Sequence, residues 1–273
     1  MFMGIFTYNV KSEERFELSS TSKGNQIKWV KGDKFLKADS MGYESIVEVL
    51  VSELESFIED FNYVDYSLCL IEEDGICYKG CVSDYFLSDN EYVISVYRIL
   101  EQYFSSEEDL RRLCNKSGKD LVIDIVKICS EVTGIEFDSI MRYFSKIIKL
   151  DSIILNEDRH LNNIVFIKEI SNGYKFAPVF DNGLSLLSDT NRYSYGCNIP
   201  FMIRRVKAKP FSTDFSKQLK YFSEYEPLKI RYNDFLKRLE DCYVEFKTRE
   251  FDRSVFILKT QLEKLKGVAW IEC

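Results

Sequence analysis

Residues 156–163 read Asn156-Glu157-Asp158-Arg159-His160-Leu161-Asn162-Asn163 and contain the sole histidine of the 273-residue chain. Asp158 precedes Asn163 by five positions. Two strand-like runs follow, Ile164-Val165-Phe166-Ile167 and Tyr174-Lys175-Phe176-Ala177-Pro178-Val179-Phe180, flanking the turn signal Ser171-Asn172-Gly173. A hairpin returns the chain to where it began. Asp181, in Phe180-Asp181-Asn182-Gly183, is therefore expected beside Asp158 and Asn163. One carboxylate is then placed as a base, with an amide and a second carboxylate as oxygen ligands for a hard cation.

Upstream, residues 137–156 keep Phe137, Ile140, Met141, Phe144, Ile147, Ile148 and Leu155 at helical spacing, and this helix leads into the Asp158 loop. Residues 120–132 form another amphipathic helix, and the pattern from about residue 90 onward reads as helical. So does the charged stretch 213–265. The first part of the chain differs. Short β-type runs cover 6–10, 15–19, 26–30, 34–38, 66–72 and 76–82, with hairpin signals at Gly32-Asp33 and Glu73-Asp74-Gly75. One helix, 43–57, interrupts them with Ile46, Leu50, Leu54 and Phe57 on one face. The expected fold is α+β and two-lobed, with a β-rich lobe over 1–80 and a mostly helical lobe over 81–273.

Composition narrows the classes. At 45% hydrophobic residues the chain has ample core material, and with only four prolines and no Ser/Gly-rich linker two closely packed lobes are expected rather than two tethered domains. A net charge of −7 argues against nucleic acid as the main partner. The basic run Arg204-Arg205-Val206-Lys207-Ala208-Lys209 is local. No apolar stretch is long enough to span a membrane. Residues 1–8 lack the basic lead of a signal peptide, so a cytoplasmic location is expected, with signal-less secretion left open. The eight cysteines show no Cys-x-x-Cys spacing, and a single histidine completes no zinc set. They read as small hydrophobes in a reducing compartment.

Phosphoryl transfer needs the groups this layout supplies: a carboxylate for the acceptor hydroxyl, oxygen ligands for magnesium, and cations on the phosphates. Asp158 suits the first role, and Asn163 and Asp181 suit the second. Lys37 suits the third, with Lys28 and Lys34 competing. Glu44 and Glu48, one turn apart, are the candidates to hold Lys37, with Glu44 favoured. Residues 19–25, which include Ser20, Ser22 and Gly24, join two strands and are expected to cover ATP phosphates. They are not a Walker A loop. His160 is expected to orient the Asp158 loop rather than act as the base itself. Arg159 either pairs with a carboxylate or phosphate, or is solvated.

Asn156-x-Asp158-Arg159-His160-x-x-Asn163 followed by Pro178-x-Phe180-Asp181-x-Gly183-x-Ser185-Leu186 resembles the HipA-like serine/threonine kinases. The Tyr43-Glu44 helix, the segment Gly80-Cys81-Val82-Ser83-Asp84-Tyr85-Phe86-Leu87, and Lys207-Ala208-Lys209-Pro210-Phe211-Ser212 are similar to its small stand-alone, CtkA-like branch. The resemblance implies a kinase fold related to phosphoinositide 3-kinases and the use of ATP and Mg2+. It implies Asp158 as catalytic base, Asn163 and Asp181 as metal ligands, and Lys37 as the ATP lysine. It also implies autophosphorylation in the serine-rich loop, at Ser19, Ser20 or Ser22. The expected substrate is a protein, the chain itself included. The extra N-terminal subdomain of full-length HipA toxins is not expected, which argues against a toxin–antitoxin role. A lipid or small-molecule kinase and a nucleotide-binding pseudokinase are the rival readings.

Overall fold

Five strands and a helix come first in the computed structural model, which describes residues 5–16, 26–171, 173–245 and 248–273. They are β1 (Phe6–Val10), β2 (Lys28–Lys31), β3 (Lys34–Ala38), α1 (Glu44–Glu55), β4 (Ser67–Glu73) and β5 (Ile76–Asp84). The strands form one sheet in the order β1-β4-β5-β3-β2, with β1 parallel to β4 and the other pairs antiparallel. Both hairpin signals are used. Gly32 turns β2 into β3 at φ +60°, and Asp74 and Gly75 turn β4 into β5 at φ 51° and 80°. Two successive left-handed residues match the twist of the strands they join. The run at 15–19 contributes only an isolated bridge, Arg15 to Trp29, among the described residues. Ser19, Ser20, Ser22 and Gly24 lie outside the described residues.

Alternation sorts the sheet's side chains. Trp29, Leu36, Ile71 and Val82 pack together on one face. Lys37 and Cys81, shifted by one residue, are buried on the other, toward α1. β5 approaches β3 so closely at Gly80 that a Cβ there would meet the Lys37 carbonyl oxygen at 2.3 Å.

The remainder is β6 (Glu91–Ser95), α2 (Val96–Tyr103), α3 (Glu107–Cys114), α4 (Lys119–Thr133), α5 (Phe137–Ile154), β7 (Val165–Glu169), β8 (Gly173–Phe176), α6 (Ile199–Ile203), α7 (Phe215–Tyr221), β9 (Leu228–Ile230), α8 (Tyr232–Glu245), α9 (Arg249–Leu265) and β10 (Trp270–Glu272). Two helical expectations need correction. Residues 91–95 form a strand that pairs with β7 at the edge of the β7–β8 hairpin. The stretch 213–265 is broken by β9, whose parallel partner β10 is far along the chain. α5 is the central helix, with Ile140, Phe144, Ile147, Ile148, Ile153 and Ile154 buried. Val47, Leu50, Val51 and Leu54 of α1 join that same core, whereas Val49 packs with Tyr66 and Cys81 beneath the sheet. α1 thus ties the sheet to the helices, and the boundary read at residue 80 falls inside β5. Among the described residues no helix is long and apolar enough to cross a membrane.

Candidate active site

α5 ends at Leu155, which takes a left-handed conformation (φ 57°) and swings the chain into the 156–163 loop. Buried Asn156 fixes the loop's start. Its Nδ2 donates to Asp151 at 3.1 Å, and its Oδ1 accepts from the Asp158 N–H at 2.9 Å. Asn163 closes the loop: its Nδ2 donates to the Asp158 carbonyl at 2.9 Å. That bond leaves the amide oxygen as the end suited to a cation. β7 and β8 then carry the chain out and back to Asp181, which sits at φ 61°.

Arg159 joins these segments. It is 1% exposed. Its Nε donates to both oxygens of Asp151 at 3.2 Å. One terminal nitrogen donates to the carbonyls of Asn163 (3.2 Å) and Phe180 (2.9 Å), and the other to Asn182 Oδ1. One planar fork therefore fixes the spacing between the loop that bears Asp158 and the loop that bears Asp181. Of the two roles read for Arg159, the carboxylate partner is the one found.

Lys37 projects from β3 into the same place. Its Nζ lies 2.7 Å from Glu48 Oε1 and 2.9 Å from Asp181 Oδ1, and 4.9 Å from the centre of the Tyr66 ring. Burial opposes its charge, but Asp181 and Glu48 together outweigh burial and hold the ammonium well above the ordinary lysine pKa. Burial likewise works against the Asp181 carboxylate, and Lys28 and Lys37 overcome it, driving that pKa far below the usual range. Lys28, read only as a competitor of Lys37, stands beside it across β2 and β3 and reaches Asp181 Oδ2 at 3.6 Å.

Glu48, not the favoured Glu44, is the partner of Lys37. Glu44 lies at the first turn of α1 and turns back onto its own chain. It accepts from the N–H groups of Met41 (2.7 Å), Gly42 (2.9 Å) and Ser40 (3.2 Å) and from Ser40 Oγ. A carboxylate there satisfies donors at the helix entry and complements the positive end of the helix. Glu48 has its second oxygen on the N–H of Asn182 at 2.9 Å, so it links Lys37 to the Asp181 loop. Gly183 keeps that loop against α1, where a Cβ would stand 3.1 Å from Glu44 Cβ.

His160 Nε2 lies 3.8 Å from Asp158 Oδ2, and burial pushes the imidazole pKa below its ordinary value. It therefore flanks Asp158 rather than replacing it. The other Asp158 oxygen is 3.1 Å from Lys209 Nζ, a contact to which the sequence assigned no role. Asn156, Asp151, Asn182, Glu55 and Lys209 are the structural members that sequence reasoning missed. Asn182 follows Asp181 directly, yet its contacts to Arg159 and Glu55 are visible only in three dimensions.

A cavity opens beside these groups. Val64, Tyr66, Phe86, Leu87 and Phe180 line it together with the polar groups Lys37, Asn163 and Asp181. A smaller crevice continues past Lys28 and Asp181 to Asp158. Among the described residues no cluster of three or more His, Cys, Asp or Glu forms a metal cage. Asn163 and Asp181 are instead two hard oxygen donors at a site open to further ligands. That suits magnesium, which takes one or two protein ligands and completes its shell with phosphates and water.

Among solved structures, the chain is similar to the crystal structure of a Helicobacter pylori proinflammatory kinase, CtkA. The TM-score is 0.63 at 15% sequence identity, over 95% of this chain and 94% of that one. A looser likeness, TM-score 0.45 at 11% identity, covers 93% of this chain and 59% of a chain in the Shewanella oneidensis MR-1 HipA–HipB toxin–antitoxin complex with operator DNA. No protein-family model matches, and no curated protein sequence does. The chain has the two-lobed, α+β kinase-like fold of CtkA.

Proposed function

We propose that this chain is a protein kinase that uses magnesium and ATP to phosphorylate serine or threonine hydroxyls, its own among them. The observation that carries this reading is one cavity lined both by apolar and aromatic side chains and by Lys37, Asn163 and Asp181. The apolar lining suits a flat adenine ring, and Lys37, 2.9 Å from Asp181, and Asn163 suit the phosphates and their cation. Magnesium, when bound through Asn163 and Asp181, supplies charge to the phosphates. Lys37, fixed by Glu48, grips a phosphate from the sheet side. Asp158 accepts the proton of the acceptor hydroxyl as its oxygen attacks the terminal phosphorus and the bond to the bridging oxygen breaks. His160 flanks the Asp158 carboxylate, its Nε2 3.8 Å from Oδ2. Likeness to a kinase supports the same reading.

The test is the intact mass of the purified protein before and after incubation with Mg-ATP, beside Asp158→Asn. The expected result is a gain of whole phosphates in wild type alone. Peptide mapping then locates them, with Ser19, Ser20 or Ser22 expected. Phosphate found only elsewhere rejects that loop as the modified segment. ATP binding without any mass gain rejects the protein-kinase reading in favour of a lipid or small-molecule kinase, or a nucleotide-binding module.

The two helix glutamates give a sharper check. Glu48→Gln removes the charge that aligns Lys37, and the rate is expected to fall about tenfold to a hundredfold. Glu44→Gln leaves Lys37 paired, so the rate is expected to stay within about threefold of wild type while the melting temperature drops through the weakened cap. Rates and melts on both variants decide it; equal rate losses reject the assignment of Glu48.

A further inference from the structure

We infer that Lys209 is a catalytic cation: it pairs with Asp158 and engages the oxygens of the transferring phosphoryl group as the acceptor hydroxyl approaches that carboxylate. This rests on the kinase reading above. The first observation is contact. Lys209 Nζ lies 3.1 Å from Asp158 Oδ1, closer than His160 Nε2 at 3.8 Å from Oδ2.

The second observation is that Lys209 stands on a braced backbone. Gln218 of α7 is fully buried, and it clamps the chain on both sides of Pro210. Its Nε2 donates to the Lys209 carbonyl at 3.1 Å, and its Oε1 accepts from the Phe211 N–H at 2.9 Å. The Ala208 N–H donates to the Thr213 carbonyl at 3.1 Å. Phe211 packs its ring on Phe144 of α5 and on Phe222. Val206 and Ala208 point inward, whereas Lys207 and Lys209 point out. A solvated loop lysine needs no such platform. This one stands on a backbone braced by the helical core and reaches one carboxylate, while its side chain keeps 47% exposure and so has room to move.

The third observation is charge placement. Lys37 and Lys28 gather at Asp181, on the sheet side. Arg159 is buried and spent on Asp151, Asn182 and two carbonyls. A carboxylate close enough to take a proton from the acceptor hydroxyl is also close to the phosphoryl oxygens, and the two repel. Lys209, 3.1 Å from Asp158, supplies a cation that offsets this repulsion. As the oxygen–phosphorus bond forms and the electron pair of the broken bond leaves on ADP, the hydroxyl proton goes to Asp158. The ammonium then neutralises the equatorial oxygens, where charge is spread in the transition state.

The experiment uses the full chain with Lys209→Met and Lys209→Arg. Phosphate transfer, ADP affinity and affinity for Mg-ADP with aluminium fluoride, which mimics the planar phosphoryl group, are measured on each. Lys209→Met is expected to lose about 100-fold in transfer rate, and to lose the extra affinity for the fluoride complex by a similar factor. ADP affinity and melting temperature are expected to stay near wild type, with ADP binding within about threefold. Lys209→Arg is expected to recover transfer to within about tenfold, because it keeps the charge. Transfer by Lys209→Met within about threefold of an active wild type overturns the role of Lys209 alone. So does an equal loss of affinity for ADP and for the fluoride complex. A wild type that binds ADP but neither transfers phosphate nor gains affinity with fluoride overturns both this role and the kinase reading.

Discussion

Asp181→Asn is expected to lower phosphate transfer about 10³-fold or more. Asp181 is the point where three parts of the protein converge: Lys37 from β3, Lys28 from β2, and the loop that Arg159 holds. Burial alone would make its carboxyl hard to ionise, but the two lysines reverse that and keep it charged far below neutral pH. A group with so low a folded-state pKa stays ionised as pH falls from neutral through the mildly acidic range. Lost activity at mildly acid pH therefore does not come from protonating Asp181, and the Asn variant is not rescued by raising the pH. The substitution is nearly isosteric, so the loss reports the charge. A second measurement separates the metal role from general damage. With the carboxylate gone, Lys28 and Lys37 face the phosphates with less competition. Metal-free ATP should then bind as tightly as to wild type or tighter, while the gain in affinity on adding magnesium disappears. Calorimetric titration with and without magnesium reads both. A variant that still responds to magnesium within about threefold of wild type rejects Asp181 as a ligand.

The positions of Asp158, Asn163 and Asp181 were legible in the sequence for a geometric reason. A five-residue loop and a hairpin leave little freedom in where their ends lie, and the turn at Ser171-Asn172-Gly173 announces the hairpin. The helix before them was legible because its apolar residues recur over many turns. Choosing between Glu44 and Glu48 was harder. Both lie on the same face of α1, one turn apart, so periodicity cannot separate them. The signal that separates them is local: Glu44 begins the helix directly after Ser40-Met41-Gly42-Tyr43, where exposed N–H groups seek an acceptor. β9 and β10 escaped detection because each is only three residues long, and β6 because it ends at Ser95 and α2 begins at Val96, with no turn between them. β9 also pairs with residues at the far end of the chain, where no window of sequence connects the two. Lys209 was quoted as part of a motif, but its aim at Asp158 depends on Gln218 and on two aromatic contacts from other helices.

Arg159 shows the largest gap between sequence and structure, and the largest expected effect on stability. Its side chain is buried as deeply as an aliphatic one, and its partners come from α5, the Asp158 loop and the Asp181 loop. Arg159→Met keeps much of the volume and removes every one of those bonds. Asp151, fully buried, would then retain only the Asn156 amide as a side-chain donor. The Asn182 oxygen and the Phe180 carbonyl would lose a donor in the same step. Deleting one partner of a buried ion pair leaves the other charge uncompensated, so the expected loss is about 3–5 kcal/mol. Urea unfolding of the purified variant measures it. Arg159→Met together with Asp151→Leu should recover part of that loss, because the stranded carboxylate is gone, although the Asp158 and Asp181 loops stay unlinked. Stability should therefore return further than activity does. A single variant within about 1 kcal/mol of wild type would mean that the loops are held by their own turns and by α1, and that the fork merely fills the space between them.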